Sequence, residues 1–219
     1  MDEGTRMLGE AQHAVLRQMM EDRKYKDITR HRGEPLTPSL ALLMSATTTP
    51  KDGRTGAVLA LFVTSDAVVK VHALRELELL YEGTLEVDSN LNLDDVLKQD
   101  MNTFIVISER ALTSFALRDA QSRSLTRFMH FFRRAELSFN VARHCLQPRC
   151  TPVSAHDEDN LIRQLALPSK HALLRMQDSD PLCRYFGWQP GQVVGMRRCL
   201  ANVAPQMVYR YVIDTLSGQ

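Results

Sequence analysis

Residues 178–194, Asp-Ser-Asp-Pro-Leu-Cys-Arg-Tyr-Phe-Gly-Trp-Gln-Pro-Gly-Gln-Val-Val, constrain this chain more than any other stretch. Asp180 suits a helix N-cap, because its carboxylate can accept from unpaired N–H groups of the first turn. Pro181 fits the first helical position, where the missing N–H costs nothing. Leu182 to Phe186 gives barely two turns, and Gly187 supplies the left-handed residue that ends them. Pro190-Gly191 is a tight-turn pair feeding Gln192-Val-Val, the start of a strand. The run therefore encodes a short capped helix, a turn and a strand. It is expected to set Arg184, Tyr185 and Trp188 on the surface of a compact unit. Two readings of that surface compete. Arg184 and Tyr185 belong to a docking patch, since Arg, Tyr and Trp are enriched at hot spots; or Tyr185, Phe186 and Trp188 close a small core, which periodicity alone favours.

Length and composition accommodate such a unit beside a larger one. With 219 residues, 44% hydrophobic and 24% charged, the chain has ordinary globular composition and room for one large or two small domains. Its apolar stretches are shorter than a membrane span, and no charged-then-apolar leader opens it. Cys145, Cys150, Cys183 and Cys199 are too few and scattered for a disulfide scaffold, so a reducing nucleus or cytoplasm is expected. The net charge is only +1 but segregated: residues 66–100 hold nine acids against three bases, and residues 110–134 six arginines against one acid. A charge run is more often a solvated face than a partner-facing one. A lone nucleic-acid binder needs a stronger field than this.

Periodicity predicts a mixed α/β N-terminal domain over residues 1–142. A helix is expected from Thr5 to about Lys24, with Leu8, Ala11, Val15 and Met19 on one face. Gly33, Pro35 and Pro38 suggest a loop over Asp27–Ser39. Leu40–Ala46 and Ala57–Val63 read as a buried hairpin. Val68–Leu80 is either a strand followed by a helix or one helix, the acidic tract 81–91 an insertion, and Asn92–Met101 a short helix. A strand at Phe104–Ser108, a helix at Ala111–Ala120 and a strand at Phe128–Phe132 follow, and Leu137–Val141 runs into a linker near Arg143–Arg149. The second domain, 143–219, opens at Ser154-Ala-His-Asp157, a capping-box-like start. A helix to about Ala166, a strand at His171–Met176, the short capped helix and two closing strands complete a small α+β unit.

The sequence offers little for catalysis. Gly53-Arg-Thr-Gly56 has neither the spacing nor the Lys-Ser/Thr of a phosphate loop. His144, Cys145 and Cys150 lack the paired spacing of a zinc site, so buried or half-exposed free thiols are expected. Asp178 could hold a cation only with Asp180, which is already a helix cap. His72, His130 and His171 sit singly in apolar surroundings. Metal-dependent cleavage needs strand-borne carboxylates beside a lysine, and the one Asp-x-Lys, Asp22-Arg-Lys24, ends a helix. No cofactor or metal is implied.

The wording of the signature run, Asp180-Pro181, Arg184-Tyr185-Phe186-Gly187 and Gly191-Gln192-Val193-Val194, resembles the fifth common subunit of eukaryotic nuclear RNA polymerases and its archaeal counterpart. The resemblance continues to Arg198 and Tyr209-Arg210, and more weakly back through Leu173-x-Arg175-Met176, Ser154 and His144-x-Leu146-x-Pro148. Upstream it rests on length, element order and short runs such as Thr103-Phe-Ile-Val-Ile-Ser108. It implies a non-catalytic polymerase subunit in the nucleus, with an N-terminal jaw at downstream DNA and a C-terminal assembly domain packed on the largest subunit. By that resemblance Asp180, Pro181, Arg184, Tyr185, Gly187, Gly191 and Gln192 belong to the partner-binding module, whether by contact or by shape. The jaw segment corresponding to Arg110–Phe115 makes Arg110, Arg118 and Arg123 DNA-proximal candidates. Departures are local. Leu200–Gln206 replaces a Ser-x-Thr-Ala-Gly-x-Tyr run, so Ala204-Pro205 is expected to change the hairpin turn; Gly195 replaces a usual Lys, and Cys150 a common His. Such divergence suits a paralogue dedicated to polymerase I in the nucleolus, as some flagellate protists have; a divergent shared subunit or a large DNA virus counterpart fits as well. The alternative is an independent adaptor or nucleic-acid-binding module reusing the fold.

Overall fold

The computed structural model describes residues 7–37, 39–48, 56–64, 71–82, 101–122, 128–200 and 203–214. The chain divides into two compact units, Met1–Asn140 and Val141–Gln219. Both combine helices with a sheet, an α+β architecture.

In the first unit, α1 (Glu10–Asp22) precedes β1 (Lys26–Pro35), β2 (Leu40–Thr48) and β3 (Gly56–Val63); then come α2 (Val71–Tyr81), β4 (Met101–Ser108), α3 (Ser114–Ser122) and β5 (Met129–Arg133). The strands lie in chain order in one five-stranded sheet. β1, β2 and β3 pair antiparallel, whereas β4 runs parallel to β3 and β5 parallel to β4. Parallel neighbours need a crossover connection, and α2 and α3 lie in those two connections. Every residue of β3 is buried, as expected of a strand covered on both faces. On one face Leu59, Leu61, Phe104 and Val106 pack with Leu74, Leu77, Ala116 and Ala120 from the two helices. On the other, Val58, Ala60, Ile105 and Ile107 are buried too.

The hairpin, the Val71–Tyr81 helix and the two parallel strands follow the hydrophobic pattern. The Asp27–Ser39 loop does not, because most of it is strand β1. It is a polar edge strand with almost no buried side chain, so alternation gives no signal. Its register slips between Lys26 and Thr29 and between Arg30 and Glu34, with Asp27 at φ 50° and Gly33 at φ 79°. The glycine thus serves a bulge and does not block the strand. α1 starts at Glu10 after an N-cap at Gly9; Ala11 is exposed, and the buried stripe is His13, Val15, Leu16, Met19 and Met20, with Leu8 buried just ahead of the helix. α3 starts at Ser114, not Ala111, since the Thr113 hydroxyl accepts from the Ala116 N–H at 3.1 Å. Arg134–Leu137 and Val141–Arg143 form 3-10 turns in place of the expected alternating stretch. Residues 92–100 of the helix expected over Asn92–Met101 and residues 83–91 of the acidic tract lie outside the described residues, and Met101 itself opens β4.

His31 sits in the β1 bulge, its Nε2 2.8 Å from Ser45 Oγ and its Nδ1 3.5 Å from Glu34 Oε2. Burial holds this imidazole below its ordinary 6.5, against a smaller opposing pull from Glu34. The unfolded chain therefore takes up a proton that the folded one resists. This contribution is neutral above that pH, and stability is lost as the pH falls below it. Between about pH 7 and about pH 5 the melting temperature of His31→Asn is expected to fall less than that of wild type, as read by thermal denaturation at both pH values.

The second unit holds β6 (Arg149–Pro152), α4 (Ala155–Gln164), β7 (Leu174–Gln177), α5 (Pro181–Phe186), β8 (Val193–Leu200) and β9 (Val203–Ile213). The sheet order is β6-β8-β9-β7, with β7 parallel to β9 and the other pairs antiparallel. β6 occupies the end of the expected linker and carries no apolar alternation. The expected strand at His171 begins only at Leu174, after a 3-10 turn over Lys170–Ala172. Ser154 caps α4, its hydroxyl accepting from the Asp157 N–H at 3.2 Å. Ala204 and Pro205 are not in the hairpin turn but within β9. The pairs Arg198–Gln206 and Leu200–Val203 leave two residues of β9 opposite one of β8, and such a bulge tolerates a proline without an N–H.

Candidate partner-docking site

The signature run folds as its residues dictate. Asp180 Oδ1 accepts from the Leu182 N–H at 2.9 Å, and Pro181 takes the first helical position. Gly187 closes α5 in the left-handed region at φ 69°, ψ 32°, and the Trp188 N–H returns to the Cys183 carbonyl at 3.0 Å. Gly191 has φ 96°, a conformation costly for any residue with a Cβ. Its N–H donates to Val212 O at 2.9 Å, and Val212 N–H to Gln192 O at 2.9 Å. The Gln192 side chain accepts from the Gln189 N–H at 3.0 Å, closing the turn on itself.

Tyr185 and Trp188 are 2% and 5% exposed, so their expected placement on the surface fails and the reading in which Tyr185, Phe186 and Trp188 close a small core holds. Trp188 stacks on Phe186 at 4.6 Å, and Phe186 meets Tyr185 edge-on at 5.0 Å. Trp188 lies with Met176, Leu182, Cys183, Val194, Met196 and Val212 in one apolar cluster. A unit this small has few large side chains, and leaving its only tryptophan in water would forgo much of its core. Around this core Pro181 and Pro190 are exposed, and Arg184 is half-buried in the last turn of α5. Asp180, Gly187, Gly191 and Gln192 thus shape the module, and Arg184 with the two prolines forms its outward face.

Cysteine chemistry is set by this packing. Burial, with Asp180 and Asp178 nearby, pushes the Cys183 thiol up to about 12, and burial raises Cys150 as well. Both stay protonated near neutrality and are poor nucleophiles. Cys145 and Cys199 are exposed, which departs from the expectation of buried or half-exposed thiols throughout. Iodoacetamide is expected to label Cys145 and Cys199 quickly and Cys183 only after unfolding, as peptide mass mapping over time would show. Among the described residues no three His, Cys, Asp or Glu side chains are grouped as metal ligands, and no helix is long and apolar enough to cross a membrane.

The arginine-rich segment follows the carboxyl end of β4. Ser108 is buried and donates its hydroxyl to the Arg110 carbonyl at 2.6 Å, which fixes the turn. Arg110 and Arg118 are exposed, and Phe115 between them is 72% exposed. Arg123 lies outside the described residues. Arg133 and Arg134 instead face Glu136 and Glu109 at 3.6 and 3.4 Å. Part of the positive run is therefore internal pairing.

Two structural residues escape a reading of the sequence. Lys170 Nζ donates to Glu158 Oε2 and to the Gly191 carbonyl, both at 3.0 Å, joining α4 to the signature turn. In the first unit Glu76 accepts from the Thr37 and Ser39 hydroxyls at 2.6 and 3.1 Å, tying α2 to the β1–β2 connection. Their partners are remote in sequence, and no local pattern marks them.

Residues 139–212 match the family model described as RNA polymerase Rpb5, C-terminal domain. Over 116 residues the chain is 28% identical to the DNA-directed RNA polymerases I, II, and III subunit RPABC1 of Caenorhabditis elegans, covering 53% of this chain and 54% of that protein. The DNA-directed RNA polymerases IV and V subunit 5B of Arabidopsis thaliana is 27% identical over 101 residues, covering 46% of this chain and 45% of that one. The corresponding RPABC1 subunit of Dictyostelium discoideum is 26% identical over 124 residues, with 54% and 61% covered. The match thus spans about half the length of the curated relatives.

Proposed function

We propose that this chain, whose residues 139–212 match the Rpb5 C-terminal domain model, is a non-catalytic subunit of a nuclear DNA-directed RNA polymerase. The match over the second unit carries this reading. The relatives are named as polymerase subunits, and the residues of the resemblance form a cap, two left-handed glycines and a closed turn, a rigid platform suited to docking. The second unit docks on the largest subunit through the outward face of α5 and the Pro190 turn. The first unit is a jaw near downstream DNA, where Arg110 and Arg118, exposed beside the carboxyl end of β4, add long-range attraction to phosphate. Divergence at Gly195 and Ala204-Pro205 favours a paralogue dedicated to polymerase I, and hence the nucleolus.

Fractionation of native nuclear extract by size tests the subunit role. The chain is expected to migrate wholly with a polymerase-sized complex and its transcription activity. Migration as a small free protein contradicts it. For the jaw, polymerase carrying Arg110→Ala and Arg118→Ala should lose downstream-DNA affinity at low salt and show a shallower salt dependence. An unchanged salt slope removes the DNA role and leaves the docking role standing.

A further inference from the structure

The second sheet carries a charge imbalance that the signature does not use. Its four strands contain Arg149, Arg175, Arg197, Arg198 and Arg210 and no aspartate or glutamate. Arg149 of β6 and Arg197 of β8 are directly paired across the ladder, so their side chains leave the same face. Both side chains are exposed, and among the described residues neither guanidinium has a hydrogen-bond or ion-pair partner. Like charges set opposite each other oppose folding.

The same face continues in register. Arg197 pairs with Met207, and Gly195 pairs with Thr151 on one side and Tyr209 on the other. A Cβ on Gly195 would lie 3.2 Å from both Met207 Cε and Tyr209 Cε1, so these two side chains fold down over the glycine. The result is a shallow apolar floor with Met207 48% exposed, bordered by two guanidinium groups that no described carboxylate compensates. Nearer α4 the face is closed, because Val193, Tyr209 and Tyr211 pack with Leu161 and Leu173. The end with Arg149, Arg197 and Met207 is open.

We propose that this open end of the sheet is a docking surface for an extended acidic segment of another protein. Its carboxylates meet Arg149 and Arg197, which relieves their repulsion, and its apolar side chains rest on Met207 and Tyr209. Charge complementarity selects an acidic partner. Bare sheet faces that hold single-stranded nucleic acid offer several exposed rings, whereas the rings described on this face, Tyr209 and Tyr211, are half-buried and packed toward Leu161 and Leu173, in a chain of net charge +1. The surface is defined by the sheet alone, independent of the polymerase reading.

Fluorescence anisotropy on the full chain tests it, with a labelled peptide in which glutamate and aspartate alternate with leucine, and with labelled oligo-dT as a second probe. Wild type is expected to bind the peptide in a salt-sensitive manner, and Arg197→Glu and Arg149→Glu to weaken it about tenfold or more. Each variant turns a like-charge pair into an opposite one, so both should melt no lower than wild type. The proposal is overturned if the peptide fails to bind or binds both variants as tightly as wild type. Preferential binding of oligo-dT overturns it in favour of nucleic acid, and variants that melt lower overturn it by giving the arginines to the fold.

Discussion

Trp188→Ala is expected to cost the second unit about 3–5 kcal/mol, the range for removing a buried aromatic side chain. The indole is 5% exposed, stacks on Phe186 and belongs to one apolar cluster with side chains from β7, β8, β9 and α5. The chain enters and leaves this position through Gly187, whose N–H donates to the Cys183 carbonyl, and through the Gln189–Gln192 turn, closed by the Gln192 side chain, so the backbone resists collapse into the space left. A folded domain keeps only about 5–15 kcal/mol in total, and a unit this small sits at the low end. α5 has six residues and cannot persist without its packing, so the proposed docking face should vanish with the core. Urea denaturation followed by circular dichroism reads the loss; fluorescence cannot, since this is the only tryptophan. Trp188→Phe, which retains a ring, should lose much less. A midpoint unchanged by Trp188→Ala would mean the aromatic stack contributes little.

Phe104→Ala should have an effect of similar size on the first unit, again about 3–5 kcal/mol. Phe104 is fully buried on β4, where it pairs with Leu59 of β3 and Met129 of β5. Its N–H also donates to the Phe128 carbonyl at 2.7 Å, so the ring lies where two parallel ladders meet. Parallel pairing is secured here by helices covering the sheet, and the ring fills the space between sheet and helices together with Leu74, Leu77 and Ala116. Hydrogen exchange with mass spectrometry separates the two units. Protection should fall across β3, β4 and β5 while β8 and β9 remain protected. Equal loss in both units would contradict their division into separate cores.

These residues also show what a sequence can disclose. The signature is legible because Asp180, Pro181, Gly187 and Gly191 each act on their own backbone or one a few residues away. β3 and β4 are legible because burial leaves nearly continuous apolar runs. β1 is not: its polar side chains face water, and only the ladder to β2 makes it a strand. For Tyr185 and Trp188 periodicity favours the core, where they lie, whereas residue type points to a surface hot spot, because type indicates capacity for contact and says nothing of direction. On a two-turn helix ended by a left-handed glycine, the reversal that folds Trp188 back onto Phe186 is a matter of three-dimensional packing. Lys170 and the Arg149–Arg197 pair depend on register between remote segments, which no window of sequence contains.

The most direct test of the subunit role is affinity purification of the tagged full-length chain from native extract, with every stoichiometric partner identified by mass spectrometry. The largest subunit of a nuclear RNA polymerase is expected at equimolar yield; recovery from polymerase I alone marks a dedicated paralogue, and recovery from several polymerases a shared subunit. An eluate holding the chain without any polymerase subunit would contradict the account.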